Sequence, residues 1–389
     1  MRINRIGALL IVIAGVVPLT GCGEPAASSA VAVDVAALDA GNYSFSPTEV
    51  DGTGRAANRE AIRIGAITPL GSDIDPRFPN TLTTYRSHQI TPAQPPEYSW
   101  LKADEFDFVA PGLVAGWESK STRRTDIESG REFVTQTMRF RSPDDARSAA
   151  AALSARRPGD GYPIPGYPDA ISKKVDNTAY TPNQNVSGWL VRESMLLYIE
   201  VTDWVNVPYE TADSAGIVAR FFDKQGAALR DYTPTPLNEL DKLPADVDDL
   251  LKHTLSVQGE KPDATRGLYP MTAALHFRRQ PSAAQRTYTD AGVDYMAVRS
   301  TMVFRTKDEA AAERFVMSLY SGAASDPTYR PADPVRGIPT SRCYTAPSTA
   351  SISQCYVAVG RYVTNVSGPN IQATHQRTAA QYKLLAGLK

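Results

Sequence analysis

Apolar positions along the chain switch between two periods, and the switches mark its elements. In FVTQTMRF (133–140), Val134, Met138 and Phe140 share one parity, which predicts a strand with one buried face. Helical patterning follows in PDDARSAAAAL. Ser142 is placed to cap it, Pro143 suits the first helical position, and Asp144 and Asp145 suit the positive end of the helix dipole. The same succession recurs 164 residues later, where AVRSTMVFRTKDEAAAERFVM (297–317) aligns with 133–153. Identities include Val134/Val298, Thr137/Thr301, Met138/Met302, Phe140/Phe304, Arg141/Arg305, Asp144/Asp308 and Ala146/Ala310. Val298, Met302 and Phe304 repeat the apolar row, and Thr306 with Glu309 three residues on predicts a capping box.

The two stretches stay parallel downstream. Each reaches an Ile-Pro (Ile164-Pro165 and Ile338-Pro339) in a Pro/Gly-rich connection. Strand-like runs come next, GWLVRE and MLLYIEVTDWV in the first and QCYVAVGRYVTNV in the second. Helical segments close each unit at 211–229 and 371–388. The expectation is an α+β class protein with two similar domains, each an antiparallel sheet with helices packed on one face. The prolines and charges of DYTPTPLNELDKLPADVDD (231–249) mark the boundary. The domains are set at 38–235 and 251–389, with a linker at 236–250.

The first segment has a different pattern. Arg2 and Arg5 precede an apolar run of fourteen residues, Ile6–Leu19. A membrane-spanning helix needs roughly 20 residues, and Pro18 disfavours helix at the end of this run. A basic start, a short apolar core and small residues define a secretory signal peptide, 1–21. Its end, Leu19-Thr20-Gly21-Cys22, resembles the lipobox of bacterial lipoproteins. The resemblance implies a diacylglyceryl group on the Cys22 thiol and cleavage at Gly21–Cys22. Residues 22–37 then form a lipidated tether on the outer face of the plasma membrane.

Three cysteines are an odd number for an exported chain. With Cys22 lipidated, Cys343 and Cys355 remain. CYTAPSTASISQCY reads as two short strands around a turn, so these thiols can meet across a hairpin. An oxidising compartment favours the bridge over two free buried thiols.

ALDAGNYSFSP (37–47), the helix-like GRAANREAIRIG (54–65), AALHF (273–277) and DAGVD (290–294) resemble a family of actinobacterial envelope lipoproteins with a tandem domain of unknown function. The likeness implies a location and an architecture. It brings no established reaction.

Composition adds one feature. The 389 residues carry a net charge of −1, unevenly spread. From Leu251 to Lys389 there are 17 Lys+Arg against 9 Asp+Glu, and the remainder has 24 against 33. This asymmetry suits two mutually attracting domains, a basic face toward an anionic surface, or two solvated surfaces of opposite bias. No basic–aromatic interleaving points to nucleic acid as a partner.

Candidate chemistry is sparse. His88, His253, His276 and His375 form no zinc-spaced pair, and His276 lies in an apolar stretch that suits a core residue. Nucleophile-elbow, Walker and G-x-G-x-x-G patterns are absent. Ser99 and Lys102 match S-x-x-K, whose spacing puts both on one helix face, but the companion motifs are missing. Asp73 and Asp75 read as solvated turn carboxylates, and Asp246, Asp248 and Asp249 as the first turn of a helix. Trp100, Trp117, Trp189 and Trp204 read as core packing. No catalytic, cofactor-binding or metal residue is assigned, and no cofactor is implied. The expected function is that of a lipid-anchored, non-catalytic binding or scaffold protein for a lipid, glycan or envelope protein. The alternative is an extracytoplasmic hydrolase or transferase whose site assembles only in three dimensions.

Overall fold

A computed structural model describes residues 32–50, 55–81, 88–125, 130–179, 181–259, 265–324, 328–345 and 352–388. Cys22 and the expected signal peptide lie outside them. Asp34–Lys389 forms one compact unit. No helix among the described residues is long and apolar enough to cross a membrane.

The first half opens with helices α1 (Ala56–Ala66), α2 (Gly71–Ile74) and α3 (Phe106–Val109) and the short strands β1 (Asn80–Thr81) and β2 (Gln89–Ile90). Strands β3 (Leu113–Thr122) and β4 (Arg131–Phe140), helix α4 (Pro143–Arg156), strands β5 (Ile171–Asn177), β6 (Asn183–Arg192) and β7 (Met195–Asp203), and helix α5 (Thr211–Leu229) follow. The second half comprises β8 (Gly267–Pro270), α6 (Met271–Ala274), α7 (Pro281–Ala291), β9 (Tyr295–Val298), β10 (Met302–Arg305), α8 (Glu309–Ala324), β11 (Arg330–Ala332), β12 (Arg342–Thr345), β13 (Ser353–Val359), β14 (Tyr362–Gly368) and α9 (Ile371–Ala386).

Both sheets are antiparallel and share one topology. The first runs β1-β3-β4-β7-β6-β5, with β2 beside β3, and the second runs β11-β12-β13-β14-β10-β9-β8. Hence β3, β4, β7, β6 and β5 correspond to β9, β10, β14, β13 and β12. The helices α4 and α5 leave the same strands as α8 and α9. The α+β class and the duplicated unit are therefore present in the fold.

The helices cover both faces of each sheet, where one covered face was expected. In the first half Met138, Phe140, Leu196 and Tyr198 pack with Ala146, Ala149 and Leu153 of α4. Phe133, Val186, Ile199 and Val201, of opposite parity, pack with Ile217, Val218 and Phe221 of α5. In the second half Phe304 and Val363 face Phe315 of α8, while Ala297 and Val303 face Leu385 of α9. Side chains alternate along a strand, so two helices leaving one sheet can bury both faces of it.

The repeated rows agree in part. Met138 and Phe140 are fully buried, and Phe304 sits at the matching place in β10 with Met302 partly buried beside it. Val134 is only half-buried, opposite Glu200 and Lys120, beyond the reach of the α4 core. Val298 lies in β9, not β10, and pairs directly with Met302. The aligned segment is one continuous strand in the first half and a tight hairpin in the second. Ser142 caps α4 as expected, accepting from the Asp145 amide at 3.1 Å. Thr306 does not cap α8. Asp308 does, accepting from the Ala311 amide at 2.7 Å, while the Thr306 hydroxyl donates to the Arg361 carbonyl at 2.8 Å.

The segment 38–50, grouped with the first domain from sequence, packs on the second half. Ala40 joins Leu255, Ala380 and Leu384 in a small core, with Tyr43 against it. Arg377 of α9 stacks on the Tyr43 ring at 5.2 Å.

Candidate functional site

The two halves meet at α1. Its inner face places Ala61 and Ile64, together with Leu70 just before α2, beside Trp117 of β3, in a core that continues into Tyr269, Leu275 and Met296 of the second half. The approach is close: a Cβ on Gly65 would lie 2.4 Å from the Trp117 ring, and one on Gly267 of β8 would lie 2.8 Å from Ile62 Cδ1.

A buried carboxylate holds the outer side of α1. Glu60 accepts from Arg139 Nη1 at 2.5 Å, Arg63 Nη1 at 2.8 Å, the Tyr232 hydroxyl at 2.7 Å and the Thr235 hydroxyl at 2.7 Å. Burial alone would raise its pKa, but these hydrogen bonds and the two guanidinium charges prevail and hold it low. The net ties α1 to the chain leaving α5.

Two histidines face each other across the junction, with ring centroids 5.9 Å apart. His88 Nδ1 donates to the Glu118 carbonyl at 2.8 Å, and the ring stacks on Trp117. His276 Nε2 donates to the Thr68 carbonyl at 3.2 Å, and its Nδ1 accepts from the Ser119 hydroxyl at 3.0 Å. Burial pushes His88 down to about 4 and His276 down to about 3, so both are neutral at ordinary pH. His276 is the satisfied core residue its apolar stretch suggested.

Beside this junction lies a cavity of about 410 Å³. It is bounded by α1, the connection 243–251, β8, the β9–β10 turn and the segment 48–50. Val50, Ile62, Leu243, Leu251, Leu268 and Tyr295 give it apolar walls. Arg55, Arg59, Arg63, Arg266 and Arg299 reach it as well. Arg59 and Arg63 are four residues apart, so α1 presents both on one face, and Arg55 is the N-cap residue of the helix, four residues before Arg59. Arg59 Nη2 donates to the Asp241 carbonyl at 3.3 Å. Arg299 donates to the carbonyls of Thr48 and Glu49, each at 3.3 Å. Glu49 at the rim pairs with Lys252 at 2.8 Å.

The structure also disposes of the residues singled out from sequence. Cys343 and Cys355 are bridged at directly opposed positions of β12 and β13. A ring nitrogen of His375 lies within 4.8 Å of both sulfurs, which the bridge already occupies. Ser99 and Lys102 share no helix face, because a Tyr98–Leu101 bridge closes a turn there. Asp75 is not a solvated turn carboxylate. It is buried and paired with Arg77 at 2.6 Å and Arg220 at 2.5 Å. Burial would raise its pKa, but the Arg77 hydrogen bonds and both charges hold it at about 2. Asp246 begins no helix and instead folds a turn, accepting from the amides of Leu251 at 2.7 Å and Lys252 at 2.8 Å. Trp117 and Trp189 are core residues. The arginines of the cavity were missed. The one available signal was the four-residue spacing of Arg55, Arg59 and Arg63 in a helix-like stretch. Nothing in the sequence joins them to Arg266 and Arg299.

Fold and cavity together define a class: a tandem α+β protein with a pocket at the junction of its two repeats. The chain belongs to the DUF7373 family. Residues 47–245 match the domain of unknown function (DUF7373) N-terminal, and residues 250–387 match the domain of unknown function (DUF7373) C-terminal. No curated protein matches the chain. Among solved structures, the extracellular domain of PknH from Mycobacterium tuberculosis is similar at 12% identity, with a TM-score of 0.29, over 43% of this chain and 96% of that one.

Proposed function

We propose that this protein is a lipid-anchored envelope protein of actinobacterial type that binds a small amphipathic ligand at the junction of its two domains. The observation that carries this reading is the cavity of about 410 Å³ bounded by both halves. Its size falls within the range of small-molecule sites, about 300–1,000 Å³. Its lining joins apolar walls to a few convergent polar groups, the composition such sites use. Beside guanidinium groups and hydrocarbon the described lining carries Thr48, Asn58, Ser256 and Tyr295 but no histidine, and its carboxylate, Glu49, is engaged by Lys252. That chemistry supports binding over turnover.

The signal-like start and Leu19-Thr20-Gly21-Cys22 support the anchor and an outer-face location. In the native host, Cys22→Ser abolishes incorporation of a fatty-acid probe, and unchanged labelling rejects the anchor.

Ligand binding is tested by mass spectrometry of small molecules that co-purify with the full chain from native membranes. Leu268→Trp fills the cavity and serves as the control. A compound retained by the wild type and lost from the variant supports the reading. Identical extracts from both reject it.

A further inference from the structure

The five arginines of the cavity differ in what they already hold. Arg63 is committed to Glu60. Arg299 donates to two backbone carbonyls and has no carboxylate partner among the described residues. Arg266 carries a buried Nε with no hydrogen-bond partner among the described residues. Arg55 has no ion-pair partner among them either. Arg299 is held below the usual arginine range, first by burial and then by the like charge of Arg266, which together with a smaller contribution from Arg55 outweigh the opposite charge of Asp246. Glu49, the acidic side chain of the lining, turns outward to solvent with Lys252. Arg55, Arg266 and Arg299 therefore converge beside an apolar wall with no carboxylate in salt-bridge contact with them among the described residues, and Asp246 acts on Arg299 only through space.

A cluster of this kind costs stability while empty, because guanidinium groups in a partly desolvated place repel one another. A bound oxyanion reverses the sign, since guanidinium–oxyanion hydrogen bonds are charge-assisted and bidentate. The facing wall of Ile62, Leu251 and Leu268 offers an oxyanion nothing. It suits hydrocarbon carried by the same ligand.

We propose that the junction cavity takes a single-chain amphiphile headed by a phosphate-type oxyanion. The head is held by Arg55, Arg266 and Arg299, and the chain lies along Leu268 and Ile62. This rests on the reading of the cavity as a ligand site. The volume admits a headgroup with a short stretch of one chain. The oxyanion could come from a lipid headgroup or from free phosphate, and the experiment separates the two.

The full chain in phosphatidylcholine nanodiscs is titrated calorimetrically with octyl phosphate, with octyl glucoside as the neutral probe of equal chain length, and with inorganic phosphate, against empty nanodiscs. Octyl phosphate is expected to bind at least tenfold tighter than either control. Arg266→Gln and Arg55→Gln are each expected to weaken it about tenfold, while the melting temperature without ligand stays level or rises. Equal binding of octyl glucoside overturns the oxyanion head but leaves the cavity as an apolar site. Inorganic phosphate binding as tightly as octyl phosphate overturns the amphiphile. Binding of none of the three overturns both this proposal and the reading beneath it. A marked fall in the ligand-free melting temperature of both variants makes these arginines structural and overturns their role.

Discussion

The central hairpin of the first half is long and that of the second is short, and the difference places the candidate site. Strands β3 and β4 span ten residues each, whereas β9 and β10 span four each. At the repeat offset Arg299 aligns with Thr135, which stays in the ladder of β4 opposite Ser119 and Ile199. In the second half the chain turns at that point, with the Arg299 amide donating to the Thr301 carbonyl at 2.9 Å. The turn sends the Arg299 guanidinium into the cavity. Topology and helix docking are kept between the copies because two buried faces constrain them, while the length of the central strands differs.

The halves are also secured differently. The first fastens the far end of its long strands with Arg131, fully buried against Asp203 at 2.7 Å and Glu210 at 3.0 Å. The second uses the Cys343–Cys355 bridge across β12 and β13. Short strands bury less apolar surface, so a covalent link matters more there.

The equivalence of the two cores can be broken by matched truncation. Phe140 and Phe304 are both fully buried at corresponding strand positions. Phe140→Ala and Phe304→Ala should each cost about 3–5 kcal/mol in urea or guanidinium unfolding. A cost below about 1 kcal/mol at either site would remove the correspondence of β4 with β10.

Removing the bridge sharpens the contrast in how the halves are held. The loop between Cys343 and Cys355 spans 12 residues, and Cys343→Ser with Cys355→Ser should cost about 3 kcal/mol in the chain-entropy account. Hydrogen exchange should report the loss at β12–β14 before β3–β7. Uniform deprotection of both sheets would show that the halves share one cooperative unit.

Acid tests the junction between them. His88 and His276 have folded-state pKa values depressed below the ordinary histidine value of about 6.5. The unfolded chain therefore binds more protons, and stability falls as pH drops. The contribution is whole above about pH 6.5 and is lost as pH falls towards about 4 for His88 and about 3 for His276. Between pH 7 and 5 the loss should be about 2 kcal/mol per histidine. Chemical denaturation at both pH values measures it, and His88→Gln should halve the difference. An unchanged slope in that variant would take His88 out of the account.

The smallest effect concerns the apolar row. Val298 is buried and Val134 only half-buried. Val298→Ala should therefore cost about 1 kcal/mol more than Val134→Ala. Equal costs would mean that Val134 is buried as deeply as the repeat pattern implied.

Much of the fold was legible because local patterns carried it. Strand parity at Met138 and Phe140, the Ser142 cap and Pro143, and recurrence at 164 residues gave the elements, the class and the duplication. A cysteine pair flanking a turn gave the bridge. These signals involve neighbours within one or two turns of chain, so periodicity and capping chemistry express them directly. Tertiary structure alone decided the rest. The β9–β10 turn contains no glycine, proline or asparagine to announce it, so Val298 reads as one row with Met302 although it lies on the preceding strand. Both helices of each unit read alike from sequence, and only strand pairing shows that they leave for opposite faces. Asp75 turns from a loop carboxylate into a buried ion pair because Arg220 arrives from 145 residues away. The cavity arginines come from α1 and its N-cap and from connections next to β8 and β9 more than two hundred residues later, and local pattern holds no trace of a pocket whose walls meet only when the two repeats dock.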